Sequence, residues 1–171
     1  MTVLTFSFQA LEAFCNETIS YRVTGIYVLK RDKGIRNVTG DELERLASTE
    51  EKLGTILPDL LNVPTPKGTR IWDDFVELKR ARDATAHIKS RDSSPRVTQP
   101  IDLDSRPLFH RFLGADVFAW VAAAVVLIDY FTLPGDTRPW LEHAKSTLGV
   151  QAKRPTANQT KKMRPPLGKR L

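Results

Sequence analysis

The sequence predicts an all-α fold, a bundle of four main helices with a short C-terminal helix after them. Apolar residues recur at three- and four-residue steps along most of the chain, which is typical of amphipathic helices. Hydrophobic residues make up 41% of the 171 residues, so the chain can build a core and is not disordered throughout. No two segments alternate convincingly between apolar and polar residues, and we therefore expect no strand pair.

The first predicted helix runs from about Ser7 to Arg31, and Gly34 ends it. β-Branched residues concentrate in its middle, where they restrict the side-chain torsions that a helix allows. These residues are Thr18, Ile19, Val23 and Thr24. A strand is therefore the competing interpretation of this part of the chain.

The second predicted helix starts at Asp41 and runs to about Leu53, with its leucines on the inner side. Gly54 could interrupt it, and the leucines that follow could continue it until Pro64. After a loop rich in proline and glycine, the third predicted helix covers about Thr69 to Ser90.

The segment 93–107 holds three prolines among Ser, Asp and Arg residues, which predicts an exposed connection. A fourth helix follows from about Pro107 to Phe131, and the Pro-Gly pair at 134–135 breaks it. Asp136 or Thr137 is then expected to cap a last helix.

That last helix is predicted from Arg138 to Ser146, and the hydrophobic periodicity stops after Gly149. Proline, lysine, arginine, threonine and glutamine dominate the rest of the chain, a composition that is typical of disorder. We therefore expect one helical domain at 1–149 and a basic, disordered tail at 150–171.

The positive charge of the chain is concentrated in this tail. The whole chain has 26 Lys and Arg against 20 Asp and Glu, a formal net charge of +6. Residues 151–171 contain seven basic residues and no acid, which leaves 19 bases and 20 acids in residues 1–150. The basic pI alone therefore does not indicate a nucleic-acid-binding domain.

Cysteine content and hydropathy restrict the class of protein further. The single cysteine, Cys15, cannot form an intrachain disulfide, and no Cys/His cluster has zinc spacing, so no metal or other cofactor is expected. The N-terminus lacks a secretory signal pattern. The longest apolar run, Val117 to Ile128, is shorter than the roughly 18–20 residues of a membrane span. A cytoplasmic protein without membrane association is expected.

The third helix carries the residues with catalytic potential. A turn of about 100° per residue places Arg82 in the middle of the apolar stripe that includes Phe75 and Leu78. Because a guanidinium keeps its charge, it must reach solvent, pair with an acid or line a cleft. The predicted acids for a purely structural pairing are Glu12, Glu17, Asp116 and Asp129.

Asp83 and His87 lie four residues apart on a neighbouring face of the same helix. A carboxylate one turn away can accept the imidazole N–H, fix its tautomer and raise its pKa. Trp72 and Val76 share this face, which predicts that another helix or another subunit covers it.

The segment from Arg82 to His87, Arg-Asp-Ala-Thr-Ala-His, resembles the signature of the HEPN superfamily (higher eukaryotes and prokaryotes nucleotide-binding). That signature is an arginine, a polar residue, three further residues and a histidine. Its position late in the third long helix and the strongly apolar last long helix are similar too. The likeness in architecture covers roughly residues 5–146.

The resemblance implies a metal-independent endoribonuclease that acts as a homodimer, with two copies of the motif in one composite cleft, and a role in a toxin–antitoxin or defence system. His87 would be the general acid and base, Arg82 would hold the scissile phosphate, and Asp83 would orient the site. RNA supplies its own nucleophile, so no metal ligand is required. An inhibitor or a nucleotidyltransferase would be a partner in trans.

Two further expectations concern binding. The basic residues that flank the motif could widen a cleft for RNA; they are Lys79, Arg80, Lys89 and Arg91. The tail could recruit RNA through its phosphates, or it could be a solvated extension or dock on an acidic partner. The alternative to an enzyme is a non-catalytic HEPN-like nucleotide-binding or protein-interaction module in which Arg82 is structural.

Overall fold

The computed structural model describes residues 2–31, 34–86 and 116–152, and these are mostly helical with one small antiparallel hairpin. In chain order the elements are α1 Thr2–Arg22, β1 Tyr27–Arg31, β2 Gly34–Val38, α2 Gly40–Leu46, α3 Thr49–Glu51, a π-helical turn Lys52–Ile56, α4 Leu57–Leu61, α5 Arg70–Ala86, α6 Val117–Phe131 and α7 Pro139–Leu148. The predicted connection 93–107 and nearly all of the predicted tail lie outside the described residues.

The core forms where α1, α5 and α6 pack together. Along α1 the buried apolar residues return every three or four positions, which gives the helix one continuous inner side. They are Leu4, Phe8, Leu11, Phe14, Cys15 and Ile19. The sequence of α6 is apolar on nearly every face, and most of the helix from Ala123 onward is buried. The predicted central helices therefore exist and supply the core.

The prediction that the first helix continues to Arg31 is wrong, and so is the expectation that no strand pair forms. Helix α1 ends at Arg22, and β1 pairs with β2 in antiparallel register, with Tyr27 opposite Val38 and Arg31 opposite Gly34. Gly34 has a φ of +129°, which only glycine adopts readily. The competing strand at Thr18–Thr24 does not form either, because Thr18 and Ile19 lie in α1 and Val23 and Thr24 lie in the connection before β1. The β-branched residues and Gly25 weaken the helix at this point, and the strand begins only at Tyr27.

One face of the hairpin is attached to the helices that follow it. Leu29 and Val38 are buried, and the hydroxyl of Tyr27 donates a hydrogen bond of 3.0 Å to Asp59. Burial and this hydrogen bond raise the pKa of Tyr27 to about 12, so the hydroxyl stays a donor at physiological pH. Arg31 makes a bidentate contact with Glu51, at 2.9 and 2.6 Å. These contacts fix which face of the hairpin points inward.

The predicted second helix is divided rather than continuous. It begins at Gly40, one residue before the predicted start, and α2 ends at Leu46; α3, the π-helical turn and α4 then follow one another to Leu61. Gly54 lies inside the π-helical turn, and a Cβ at this position would lie 2.9 Å from the Trp72 ring. The glycine therefore permits the close approach of α5 instead of ending the helix.

The start of α2 is fixed by a capping box. The Thr39 hydroxyl accepts a hydrogen bond from the backbone N–H of Glu42, and the Glu42 carboxylate accepts one from the backbone N–H of Thr39. This second hydrogen bond is the largest of the effects that hold the pKa of Glu42 below its usual value. The box also fixes where the hairpin joins α2.

We expect Thr39→Ala to destabilise the protein by about 1 kcal/mol, because it removes a side-chain cap from a helix start. Urea unfolding followed by circular dichroism measures this change. Thr55→Ala is the matched control, since Thr55 is exposed and caps no helix, and its unfolding midpoint should not fall. Equal midpoints for Thr39→Ala and the wild type would contradict the role of the capping box.

The later helices agree with the prediction except at their ends. Helix α6 begins at Val117, where Asp116 caps it by accepting the backbone N–H of Phe118 at 2.9 Å. Helix α7 begins at Pro139 with Arg138 at the N-cap position, and Arg138 makes no side-chain capping hydrogen bond, so the prediction of an Asp136 or Thr137 cap is wrong. Proline at the first helical position, with its preset φ, starts this helix instead. Within the described residues, no helix has the length and apolarity that crossing a membrane requires.

Candidate functional site

Arg82 lies near the end of α5, two turns after Phe75 on the same side of the helix. Phe75 and Leu78 are fully buried, but the side chain of Arg82 is 35% exposed. Its guanidinium carbon lies 4.1 Å from the centroid of the Phe8 ring of α1. The apolar stem thus covers the edge of the core while the cation stacks on an aromatic face and reaches solvent.

Asp83 completes this arrangement. Its Oδ1 accepts a hydrogen bond of 2.7 Å from Nη1 of Arg82, and its side chain is 42% exposed. Of the acids predicted to pair with Arg82 structurally, Glu17 contacts Arg138 and Asp129 contacts Lys145. Asp83 and the Phe8 ring thus both contact Arg82, whose side chain remains partly exposed.

The other predicted site residues are placed only in part. His87, Lys89 and Arg91 lie outside the described residues, so the proposed i,i+4 contact of Asp83 with His87 stays a prediction. Lys79 donates a hydrogen bond of 2.6 Å to Glu50, and Arg80 is exposed. Of the four predicted RNA-binding residues, Lys79 is thus engaged with an acid and Arg80 faces solvent.

Packing contacts define the end of the protein at which the motif lies. The hydroxyl of Tyr130 donates to the Pro64 carbonyl at 2.9 Å, which places the end of α6 beside the start of α5. The first turn of α6 therefore lies towards the end of α5, and the contact between Phe8 and Arg82 places the start of α1 there as well. Apolar side chains are exposed in these first turns of α1 and α6. They are Val3, Phe6, Val117 and Phe118.

The Trp72 face of α5 is covered, as predicted, by the same chain. Trp72 packs against the core beside Phe75, with ring centroids 5.1 Å apart. The ammonium of Lys67 lies 5.6 Å from the Trp72 centroid, and Gly54 lies beneath the ring. The part of this face around Trp72 is therefore covered within the chain.

A buried lysine was missed by the sequence analysis. Lys52 is 1% exposed, and its ammonium donates two hydrogen bonds of 2.7 Å, to Oδ1 of Asn16 and to the Glu44 carbonyl. It lies close to Cys15, whose pKa burial raises to about 12 against the opposing effect of the lysine charge. Burial thus disfavours the thiolate, which is the reactive form of Cys15. In sequence Lys52 resembles an ordinary surface lysine, because the π-helical turn that rotates it inward leaves no clear sequence signal.

Comparison with known proteins gives no match: no family model, no curated protein and no solved structure is significantly similar to the chain. Among the described residues, no three side chains of His, Cys, Asp or Glu gather as metal ligands would. The features that indicate a function are therefore the motif and the contacts around Arg82.

Proposed function

We propose that the protein is a metal-independent endoribonuclease of the HEPN type, in which two subunits bring Arg82 and His87 to one composite cleft. In this proposal α1, the segment from α3 to α4, α5 and α6 are the four helices of a HEPN-like bundle. The observation that carries the proposal is the position of Arg82, a partly exposed cation held on the Phe8 ring and aligned by Asp83 five residues before a histidine.

The reaction requires proton transfer and charge stabilisation only. His87 takes the proton of the ribose 2′-OH, the 2′-oxygen attacks phosphorus, and the 5′-oxygen leaves with a proton, so that the products are a 2′,3′-cyclic phosphate and a 5′-OH. Arg82 stabilises the negative charge that develops on the phosphate oxygens. Histidine fits the first task because it titrates near neutral pH.

The contacts of Arg82 suit this task. An arginine side chain has several rotatable bonds, and stacking on Phe8 together with the hydrogen bond to Asp83 reduces the number of conformations it samples. Preorganised charge stabilises a transition state without reorganisation during the reaction. Asp83 is thus a positioning residue for Arg82 in this proposal.

The exposed apolar residues at the same end support the homodimer. Phe6 is 63% exposed and Phe118 is 71% exposed, and both lie in the first turns of helices that converge on the Arg82 end. Exposed apolar side chains mark a surface that another protein covers when they form a contiguous patch, and the proposal requires this of Phe6 and Phe118. Two such ends in contact would bring both copies of the motif together across a two-fold axis.

The alternative is a non-catalytic HEPN-like nucleotide-binding or protein-interaction module. The contact with Phe8 favours it as well, because a guanidinium stacked on a buried ring contributes about 1 kcal/mol to stability and needs no substrate. Loss of activity in Arg82→Ala therefore does not by itself separate catalysis from stability.

Arg82→Lys separates the two functions. Lysine keeps a cation and an apolar stem over Phe8 but cannot bind a phosphate bidentately, so we expect a melting temperature close to that of the wild type and RNA cleavage at least about tenfold slower. The matched control is Arg138→Lys, because Arg138 also stacks on a phenylalanine, Phe14, and pairs with an acid. Equal cleavage rates in the two variants would contradict a catalytic Arg82.

A further inference from the structure

The charge of the helical domain is unevenly distributed, and the sequence around the hairpin has a net positive charge. The hairpin segment, defined as residues 21–38, contains five basic residues and one acid. The rest of residues 1–150 contains fourteen basic residues and nineteen acids. The near neutrality of the domain is therefore an average of a basic hairpin segment and an acidic remainder.

The two faces of the hairpin differ in what they contact. The inner face carries Tyr27, Leu29 and Arg31, which contact Asp59, the core and Glu51. On the outer face Lys30 lies opposite Ile35, and Val28 lies opposite Asn37. All four outer residues are exposed, with Ile35 at 71% and Val28 at 47%. The outer face thus has a cation, an amide and two apolar side chains that no described element covers.

The basic residues of the hairpin segment also differ in whether an acid pairs with them. Arg31 is paired with Glu51, and Arg36 lies 3.8 Å from Glu42 with 62% of its side chain exposed. Lys30 and Arg22 form no ion pair with a described acid. The Arg22 guanidinium lies 5.6 Å from the centroid of the Tyr21 ring, and Tyr21 is 77% exposed. Unpaired cations beside exposed apolar and aromatic surface are what a single-stranded nucleic acid binds, through its phosphates and its bases.

We propose that the outer face of the hairpin, with Arg22 and Tyr21, binds single-stranded RNA. Lys30 and Arg22 contact phosphates, and the side chains of Val28, Ile35 and Tyr21 contact bases. The choice of RNA among polyanions rests on the proposed function. The surface is distinct from the Arg82 site, because Arg22 ends the helix that has Phe8 near its start, about 20 Å away along α1.

The test is binding of a single-stranded 2′-O-methyl RNA of about twelve nucleotides, long enough to span the hairpin at about 3.4 Å per nucleotide. This probe lacks the free 2′-OH, so binding is measured without cleavage. Fluorescence anisotropy at several salt concentrations compares the full-length wild type with a Lys30→Gln/Arg22→Gln double variant. The matched control is Lys67→Gln/Arg70→Gln, which removes the same charge just before and at the start of α5.

Two phosphate contacts contribute about 1.4 to the slope of log K against log salt, so the hairpin variant should lose about that much slope. Its affinity at about 0.1 M salt should fall roughly 25-fold, while the control variant binds like the wild type. Equal losses in the two variants would overturn the proposal. A hairpin variant with unchanged RNA affinity and an altered sedimentation coefficient would overturn it too, because the face would then join two copies of the chain.

Binding and cleavage measurements on the same proteins distinguish failure of this proposal from failure of the proposed function. If the wild-type protein cleaves unmodified RNA and the hairpin variant binds the probe normally, only the proposed RNA-binding surface of the hairpin is overturned. If the wild-type protein binds the probe through the hairpin but leaves unmodified RNA intact, only the proposed nuclease activity is overturned.

Discussion

His87→Ala is expected to slow RNA cleavage by about 10²- to 10⁴-fold, the usual contribution of a general acid or base. In the proposed mechanism the substitution removes the group that accepts the 2′-OH proton and leaves Arg82 on Phe8, where its charge would still stabilise the phosphate. Single-turnover cleavage of a labelled RNA, with enzyme in excess, measures the chemical step directly. A melting curve of the variant shows whether the fold is retained.

His143→Ala provides the matched control for this measurement. His143 is exposed on α7, and its backbone carbonyl, which the substitution keeps, accepts the hydroxyl of Thr147. We expect cleavage and stability to remain at the wild-type level. Cleavage by His87→Ala at the rate of the wild type would exclude His87 as the proton-transfer group.

Lys52→Met is expected to destabilise the protein by about 2–4 kcal/mol, a large part of the 5–15 kcal/mol typical of a domain. Methionine fills a similar volume but donates no hydrogen bond, so the Asn16 amide oxygen and the Glu44 carbonyl both lose a partner in a buried site. Removal of a buried cation offsets part of this cost. Chemical unfolding of the purified variants measures the difference.

Two further variants test the cause of this loss. Lys79→Met removes a partly exposed lysine from its ion pair with Glu50 and should cost at most about 1 kcal/mol. The double variant Asn16→Leu/Lys52→Met also removes one of the two acceptors that Lys52→Met leaves without a partner. It should therefore regain part of the lost stability. A Lys52→Met protein as stable as the wild type would contradict the role of this lysine in joining α1 to the α2–α4 region.

The helices of the core could be predicted because their apolar pattern is strong and long. In α5 the buried positions Phe75 and Leu78 fall on one stripe, and α6 is apolar over most of its length. The hairpin could not be predicted on the same basis, because the apolar residues from Val23 to Leu29 fit both a helical and an alternating pattern. Gly25 and the positive φ of Gly34 are the features that decide for strands.

The surroundings of the candidate site depend on tertiary packing and were predicted only in part. The position of Arg82 on the apolar stripe indicated that it must reach solvent, pair with an acid or line a cleft, and in the structure it is partly exposed and pairs with Asp83. That Phe8 lies under it could not be known, because the contact joins residues 74 positions apart through the packing of α1 on α5. The pairing of Glu17 with Arg138 is of the same kind.

Metal-independent cleavage is tested by incubating the wild-type protein with RNA in excess EDTA and analysing the new ends. A parallel substrate has the same sequence with every 2′-OH replaced by 2′-O-methyl. We expect that only the unmodified RNA is cleaved, without added metal, and that the products end in 2′,3′-cyclic phosphate and 5′-OH. Intact RNA in EDTA with cleavage restored by a divalent metal, or cleavage of the 2′-O-methyl substrate, would contradict this expectation.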